Sequence, residues 1–338
     1  MIGIGVIGYG YWGPNLVRNF AEVADSHVVA VADLQPERLA LAQSRYPTVE
    51  ISTDFRDLLA SPRVDAVAIA TPVSTHFDLV MRALQAGKHV LVEKPLAATA
   101  EQADRLIEEA GRRQQVLMVG HTFVYTSAVR KIKELVDGGR LGQLYYYDSV
   151  RVNLGLFQHD VNVLWDLAVH DLAIMDYVLG FRPHSVSAIG AAHVSGHPEN
   201  IAYMTCFFDH GFVAHFHVNW LAPVKVRYTL IGGDRRMVIY NDLEGSEKIK
   251  IYDKGVHLKP RSEKLYESLV SYRIGDMRAP RLSQKEALQT EVEHFIGCIQ
   301  RKKTPLTDGS AGLRVIQILE AASESMHHQG KRVAVQYR

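Results

Sequence analysis

Cysteine is scarce in this chain: the 338 residues include two, Cys206 and Cys298. Two cysteines are too few for a disulfide framework, and they lack the close spacing of a cysteine metal site. They are typical of buried thiols in a reducing compartment. We therefore expect a cytoplasmic protein with no structural metal.

The sequence also lacks a charge bias and long hydrophobic runs. Lys plus Arg number 38 and Asp plus Glu 37, which gives a formal charge of +1. This balance argues against nucleic acid or an anionic membrane as a partner. After Met1 the segment IGIGVIGYG has no basic residues, and glycine interrupts its apolar run. The pattern predicts neither a signal peptide nor a membrane span.

The first third of the chain alternates short apolar runs with segments of helical spacing. Continuously apolar strands suit a sheet covered on both faces, and strand–helix alternation suits parallel pairing. We therefore predict a Rossmann-type, doubly wound α/β domain over residues 1–122. Its predicted strands are 2–7, 28–32, 66–70, 90–92 and 116–119, and its predicted helices are 14–23, 36–45, 75–86 and 100–112.

From Tyr145 onwards, strand-like segments follow one another with short turns between them. Most of these connections are too short for helical crossovers, so the sheet should be antiparallel. We predict an α+β domain with an open, mostly antiparallel sheet over residues 123–338. Its predicted helices are 164–179, 283–300, opened by a capping box of Ser283 and Glu286, and 310–326; the polar stretch 256–281 has no assignment.

Glycines at 8, 10 and 13 follow the first predicted strand and open the first predicted helix. In a dinucleotide fingerprint the first allows a tight turn, the second admits the pyrophosphate, and the third permits close helix packing. The second strand ends in Asp33, whose carboxylate can accept the ribose hydroxyls. No Arg or Lys occupies 34–36, so NAD is favoured over NADP. The alternative is a glycine turn with a helix-capping aspartate.

Two further strand ends carry polar residues. Thr71 and Pro72 follow the third strand, and His76, at the start of the next helix, could reach a ribose or simply lie at the surface. The fourth strand runs into Glu93-Lys94-Pro95, which places a lysine at the same edge of the sheet. Taken alone, a proline after a lysine is usually only a strand terminator.

Asp166 and His170 are four residues apart on the predicted helix 164–179, so they share one face. The rest of that helix is apolar almost all round, which predicts that it is buried. A buried carboxylate and imidazole either satisfy each other as a structural pair or line a cleft. A metal site is disfavoured, because no third ligand stands at a suggestive spacing.

Taken together, the fingerprint at Gly8–Gly10–Gly13, ATPVSTH, Glu93-Lys94-Pro95 and the Asp166/His170 helix resemble the Gfo/Idh/MocA family of glucose–fructose oxidoreductase and inositol dehydrogenase. The resemblance covers most of the chain. It implies an enzyme transferring hydride between nicotinamide and a secondary hydroxyl or ketone of a sugar. It also implies a homodimer or homotetramer formed through the open sheet.

On this resemblance Lys94 would bind the reacting hydroxyl, His170 would accept its proton, and Asp166 would orient His170 or bind a neighbouring hydroxyl. Further expected contacts are less secure, since each is equally typical of a structural residue. They are Tyr11, Trp12 and Glu93 toward the cofactor, and His121, Asn153 and Trp165 toward the substrate; Arg151 and the segment 272–276 are weaker candidates.

The substrate implied is a nucleotide sugar, with UDP-N-acetylglucosaminuronic acid oxidised at C3 as the first choice. Where many relatives have a glycine-rich stretch before the Asp/His helix, this chain has HDVNVLWD, so the pocket near Asp160 and Trp165 is expected to differ. Three alternatives stay open: an inositol or free-sugar dehydrogenase, a non-redox glycosidase that uses bound NAD transiently, and a non-enzymatic dinucleotide-binding protein.

Overall fold

The computed structural model describes residues 1–155, 161–258 and 270–337. By contacts these residues form two compact units, Met1–Thr126 with Lys285–Gln317, and Ser127–Gln284 with Ile318–Arg338. This differs from the predicted 1–122 and 123–338, because a helix near the end of the chain returns to the first unit. There Phe295 packs edge-on against Phe20, with ring centroids 6.4 Å apart.

The first unit is built on a parallel sheet in the order β3-β2-β1-β4-β5-β6. The chain order reverses between β1 and β4, so the crevice at the carboxyl ends of these strands is where a ligand binds in such sheets. The strands are β1 Ile2–Ile7, β2 Ser26–Ala32, β3 Glu50–Ser52, β4 Ala66–Ile69, β5 His89–Glu93 and β6 Leu117–Gly120; the helices among them are α1 Gly13–Glu22, α2 Pro36–Arg45, α3 Phe55–Ala60, α4 His76–Gln85 and α5 Ala100–Arg113.

The sequence prediction missed β3 and α3, because both are short and only partly buried. The other strands and helices of this unit match their predicted positions to within a few residues. The fold class, a Rossmann domain followed by a domain with a mostly antiparallel sheet, is confirmed.

The second unit contains a nine-stranded sheet in the order β16-β13-β12-β11-β7-β10-β9-β8-β17. The pairing is antiparallel except between β7 and β10, which run parallel, so the sheet is mixed. Its strands are β7 Leu144–Leu154, β8 Ser185–Ala191, β9 Ile201–Phe207, β10 Val213–Asn219, β11 Leu221–Gly233, β12 Met237–Asn241, β13 Ile249–Tyr252, β16 Met277–Arg278 and β17 Val333–Ala334; β14 Gly255–Leu258 and β15 Val270–Arg273 form a separate pair.

Two predicted helices differ in detail from the structure. The remaining helices are α6 Ser127–Asp137, α7 Val169–Leu179, α8 Ala287–Arg301 and α9 Gly309–His327. The predicted helix 164–179 begins with a π-helical turn, Leu164–Ala168, that precedes α7. The predicted capping box is wrong: α8 begins at Ala287, and no side chain caps it.

Glu286 has a tertiary partner instead of a capping role. Its carboxylate accepts a hydrogen bond from Arg18 Nη2 at 2.7 Å and a longer one from Asn19 Nδ2. These contacts join the start of α8 to α1 within the first unit. Across the three described ranges, no helix has both the length and the apolar character needed to cross a bilayer.

Candidate functional site

The loop between β1 and α1 has the conformation that the glycine spacing predicted. Gly8 has a φ of +94°, and a Cβ there would lie 2.5 Å from the Ala70 carbonyl oxygen. A Cβ on Gly13 would clash with the Gly8 carbonyl. A Cβ on Gly10 would instead meet nothing nearer than Arg38 Nη1, at 3.5 Å. The loop is therefore packed tightly at both ends and left open in the middle.

The amino terminus of α1 follows directly from this loop. Trp12 occupies the N-cap position and its side chain makes no capping hydrogen bond, so the backbone N–H groups of the first turn have no side-chain cap. Such a terminus attracts anions, because its N–H groups and the helix dipole both favour negative charge. Tyr11 is 90% exposed and its ring stacks beside Trp12, with centroids 6.4 Å apart.

Asp33 lies at the end of β2 with its side chain 5% exposed. It accepts hydrogen bonds from the backbone N–H of Tyr9 at 2.7 Å and of Gln35 at 2.9 Å. These two bonds fix the carboxylate while leaving lone pairs for further donors. The open loop, the uncapped helix terminus and the fixed carboxylate together fit the pyrophosphate and ribose of a dinucleotide.

Sequence reasoning missed Arg38, whose Nη1 lies 3.5 Å from Asp33 Oδ2. Positions 34–36, which follow Asp33 directly, hold no basic residue. Because α2 begins at Pro36, its first turn carries Arg38 back beside Asp33 and the open side of Gly10. Arg38 stands only two positions beyond this stretch, so the sequence signal was close at hand. A guanidinium here offers a partner to a phosphate as well as to Asp33.

At the end of β4, Thr71 is half-buried and its hydroxyl lies 2.7 Å from that of Thr75, while Pro72 is exposed. His76 is 1% exposed. Its Nδ1 lies 2.8 Å from the Pro95 carbonyl oxygen and its Nε2 lies 2.9 Å from that of Thr71. Both ring nitrogens therefore face backbone carbonyls that follow β4 and β5, and the predicted contact of His76 with a ribose stays a prediction.

At the end of β5, Glu93 and Lys94 are both half-buried as residues. The carboxyl group of Glu93 packs over Gly120, where a Cβ would lie 3.2 Å from it. Burial raises the pKa of this carboxyl to about 7, an effect that the Lys94 ammonium opposes. Near neutral pH, Glu93 is therefore partly protonated beside a lysine. The Lys94–Pro95 peptide bond is cis.

His121 follows β6 and is 2% exposed. Neither ring nitrogen has a hydrogen-bond partner among the residues that the structure describes. Burial, and then the charge of Lys94, lowers its pKa to about 3, so the imidazole is neutral at physiological pH. The predicted contact with substrate stays a prediction, and the unpartnered nitrogens leave capacity for one.

Glu291 on α8 is a second residue that sequence reasoning missed. It is fully buried and accepts a hydrogen bond from the Thr122 hydroxyl at 2.7 Å. Burial, and then the negative charge of Glu93, raises the pKa of Glu291 well above its usual range. The first unit thus gathers Glu93, Lys94, His121 and Glu291 in one electrostatically coupled group. The sequence placed Glu291 in the other domain, 198 positions after Glu93, so it gave no signal.

In the second unit, Asp166 lies in the π turn and His170 in the first turn of α7. Asn162 precedes the turn, and its side-chain oxygen accepts from the backbone N–H of Leu164 and of Trp165. Asp166 Oδ2 accepts a hydrogen bond from the indole N–H of Trp220 at 3.1 Å. Turns of this kind are frequent at functional sites, and this one contains a predicted catalytic carboxylate.

His170 is half-buried as a residue, and its Nδ1 is fully buried. Trp165 is also half-buried, and its indole N–H donates to Ser323 Oγ at 3.0 Å. That donor is used within the unit, so only the ring surface of Trp165 remains for a substrate. Asn153, near the end of β7, is half-buried. The hydrogen bond from Trp220 to Asp166 was not predicted from the sequence, because the two residues are 54 positions apart.

Arg151, a weaker candidate for substrate contact, has a structural partner. Its side chain is 4% exposed, and it donates two hydrogen bonds to Asp171, from Nε at 2.7 Å and from Nη2 at 2.9 Å. We therefore reassign it from substrate binding to a buried ion pair between β7 and α7.

The predicted residues fall into two sets, one in each unit. The convergence of Lys94 with Asp166 and His170 stays a prediction. Asp160 and residues 259–269 lie outside the described residues, as does the side chain of Tyr272. Within the described ranges, no three His, Cys, Asp or Glu residues are grouped as metal ligands.

Comparison with known families gives matches over nearly the whole chain. Residues 2–121 match the Gfo/Idh/MocA oxidoreductase family in its NAD-binding Rossmann fold. Residues 133–335 match the C-terminal alpha/beta domain of the same family.

Individual relatives differ in their substrates. The chain is 30% identical to the UDP-N-acetylglucosamine 3-dehydrogenase of Acidithiobacillus ferrooxidans, with 92% of this chain and 93% of the relative covered. A solved structure of that enzyme has a TM-score of 0.78 and covers 96% of this chain and 99% of its own. The chain is also 30% identical to the NAD(+) scyllo-inositol 2-dehydrogenase of Bacillus subtilis, over 97% of this chain and 93% of the relative.

Proposed function

Because the chain belongs to the Gfo/Idh/MocA oxidoreductase family, we propose that it transfers a hydride between NAD and a secondary hydroxyl, or the matching ketone, of a UDP-linked N-acetylamino sugar. The observation that carries this substrate class is the 30% identity to a UDP-N-acetylglucosamine 3-dehydrogenase over almost the full length of both chains. The presence of Lys94, Asp166 and His170 supports the redox chemistry.

The first unit would hold the dinucleotide. The open side of Gly10 and the uncapped terminus of α1 suit the pyrophosphate, and Asp33 suits the adenosine ribose hydroxyls. We propose NAD rather than NADP, because a 2′-phosphate would face the Asp33 carboxylate. Arg38 opposes this preference and would make it incomplete. When bound, the nicotinamide ring supplies the hydride-accepting carbon.

The protein's own part in the chemistry is to hold the carbinol and move its proton. We assign proton acceptance to Nε2 of His170, because Nδ1 is buried and histidine is the side chain that most often acts as a general base. The Lys94 ammonium would hydrogen-bond the reacting oxygen and stabilise the negative charge that develops there. Asp166, held by Trp220, would orient His170 or bind a neighbouring hydroxyl.

Within this substrate class, two sugars compete. The sequence resemblance favours UDP-N-acetylglucosaminuronic acid, and the named relative supports UDP-N-acetylglucosamine. A second candidate function, oxidation of an inositol, is favoured by the equal identity to a scyllo-inositol 2-dehydrogenase. The two classes differ in the UDP group, so one panel of substrates separates them.

The test is the near-ultraviolet absorbance of NADH, followed with purified protein and NAD at matched concentrations of four substrates. These are UDP-N-acetylglucosaminuronic acid, UDP-N-acetylglucosamine, scyllo-inositol and myo-inositol. The proposal expects turnover with at least one UDP sugar at kcat/KM ten or more times that with either inositol. Preference for an inositol would overturn the substrate class. Tightly retained NAD with no NADH formed would favour the non-redox alternative.

We also propose a homodimer or homotetramer formed through the sheet of the second unit. Ile189 of β8 and Tyr203 of β9 are paired across the sheet and are 55% and 41% exposed. Tyr203 also stacks on His217 of β10, with ring centroids 4.5 Å apart, which extends the exposed face. Light scattering at micromolar concentration tests this proposal, and a monomer would contradict it. The two buried free cysteines fit our proposal of a cytoplasmic enzyme.

A further inference from the structure

The ion pair of Arg151 and Asp171 is buried on both sides, with each side chain 4% exposed. Arg151 comes from β7, and Asp171 lies on α7 next to His170. The two hydrogen bonds between them are bidentate, which fixes the direction of approach as well as the distance. The pair therefore ties the residue beside His170 to one defined position on the sheet.

Stability is a weak explanation for such a pair. Removing two charges from water costs several kcal/mol, and replacing a buried pair with apolar residues of similar volume is often neutral or stabilising. The surroundings of α7 would favour that replacement, because Leu172, Ile174 and Val178 are already buried there. Apolar contacts are non-directional, so they fix the position of a helix on a sheet poorly. A helix held by them alone can slide or rotate against the sheet.

A second polar anchor holds the segment on the other side of His170. The Trp220 indole, 1% exposed, donates to Asp166 in the π turn. The backbone of Trp220 is itself fixed: its N–H donates to the Asn200 carbonyl, and its carbonyl accepts from the Gly155 N–H. His170 thus lies in sequence between two anchored residues. Asp166 accepts a hydrogen bond from Trp220, just before β11, and Asp171 is paired with Arg151 of β7.

We propose that Arg151 is a positioning residue for the reaction: through Asp171 it sets the place of His170 along the sheet, in concert with the Trp220–Asp166 bond. This rests on the proposed function, in which His170 accepts the carbinol proton. Arg151 itself contacts no reacting atom in this account. Its contribution is the geometry of proton transfer, where a misplacement of about 1 Å can cost on the order of 100-fold in rate.

The decisive variant replaces the pair together, as R151M/D171L. This double change removes both charges and leaves no buried ion unpaired, so the fold should be kept. We expect a melting temperature within a few degrees of wild type, a KM for NAD within twofold, and a kcat at least tenfold lower. A folded double variant whose kcat is within twofold of wild type would overturn the proposal.

A matched control removes another ion pair of the same unit. Lys250 Nζ on β13 lies 3.4 Å from Oε2 of Glu247, just before that strand, so this pair stays within one edge of the sheet and does not involve α7. K250M/E247Q should leave kcat within about twofold of wild type. If it lowers kcat as much as R151M/D171L does, the loss reflects charge removal from the sheet, and the positioning role is wrong.

A second measurement does not depend on the substrate. The ring resonances of His170 in histidine-labelled protein, assigned with H170Q, should shift or split in R151M/D171L and stay in place in the control. If wild type oxidises no sugar in the panel, the proposed function fails, and this comparison still decides whether Arg151 positions His170. If the double variant does not fold, R151K replaces it and is measured in the same way. This variant keeps the positive charge but cannot form the bidentate hydrogen bonds of a guanidinium.

Discussion

The two units keep buried charge in opposite ways. In the first, Glu93, His121 and Glu291 form one group with Lys94, and desolvation shifts the pKa of each of the three in the direction that favours its neutral form. In the second, Arg151 and Asp171 are buried as an ion pair joined by two hydrogen bonds. Neutral groups such as His121 retain hydrogen-bonding capacity for a ligand. The bidentate pair instead uses its hydrogen bonds within the protein. The first arrangement is suited to chemistry and the second to geometry.

The largest effect should come from removing the one cation of the first group. K94A should lower kcat by about 1,000-fold or more, because no other group there can stabilise charge on the reacting oxygen. NAD affinity, followed by fluorescence titration, should change little, since the glycine loop and Asp33 are untouched. Full turnover in folded K94A would remove this residue from the mechanism.

On the second unit's side, H170Q should lower kcat by about 100- to 10,000-fold, the usual range for loss of a general base. The amide keeps a similar shape but cannot accept a proton. The acidic limb of the pH–rate profile should disappear with it, while thermal stability should stay close to that of wild type. A surviving limb at the same pH would mean that a different group accepts the proton.

Protonation of Glu93 makes the first unit sensitive to pH. In the folded protein the pKa of Glu93 is raised to about 7. The free energy of unfolding that depends on its protonation is therefore fully present below the ordinary pKa of 4.5, and it is lost as the pH rises through about 7. The loss should reach at most about 3 kcal/mol. Urea denaturation from pH 5 to pH 9 should show it, and E93Q should flatten the profile.

A matched control for that series is E109Q on α5. Glu109 is bonded to Arg112 and Arg113, which lower its pKa, so its removal should not flatten the loss above pH 5. An E93Q profile that still falls like that of wild type would assign the sensitivity to Glu291. The pKa of that residue is raised in the same direction.

The smallest effect concerns the charged pair beside the glycine loop, Asp33 with Arg38. D33A should raise kcat/KM for NADP and lower it for NAD, moving their ratio by about 10- to 100-fold, because a carboxylate no longer faces the 2′-phosphate. Adding R38A should reverse part of the gain with NADP. If R38A alone leaves both cofactors unchanged, Arg38 has no part in the choice.

Features set by local sequence were predicted well. The helix 36–45 has its predicted ends because Pro36 fixes the first turn, and Gly8 adopts the positive φ that its position in the fingerprint requires. The position of Lys94 after β5 also follows from one strand and its end. In these cases the residue types within the element itself already indicate its conformation.

Features set by distant partners were not predicted. Ser283 and Glu286 have the spacing of a capping box, yet Arg18, 268 positions away, bonds Glu286. The four-residue spacing of Asp166 and His170 gave no sign of the π turn, and nothing near Arg151 in sequence identified Asp171 as its partner. Tertiary contacts override local preference in each case, and one sequence does not show which residues will meet.

The return of Lys285–Gln317 to the first unit bears on the order of events during synthesis. The first 126 residues leave the ribosome without α8, so Phe20 lacks the ring that covers it and Tyr125 lacks Thr307, to which its hydroxyl lies 3.0 Å away. The nucleotide-binding half therefore cannot be completed until nearly all of the polypeptide has been made. A chain truncated before α8 would therefore expose apolar surface and be prone to aggregation.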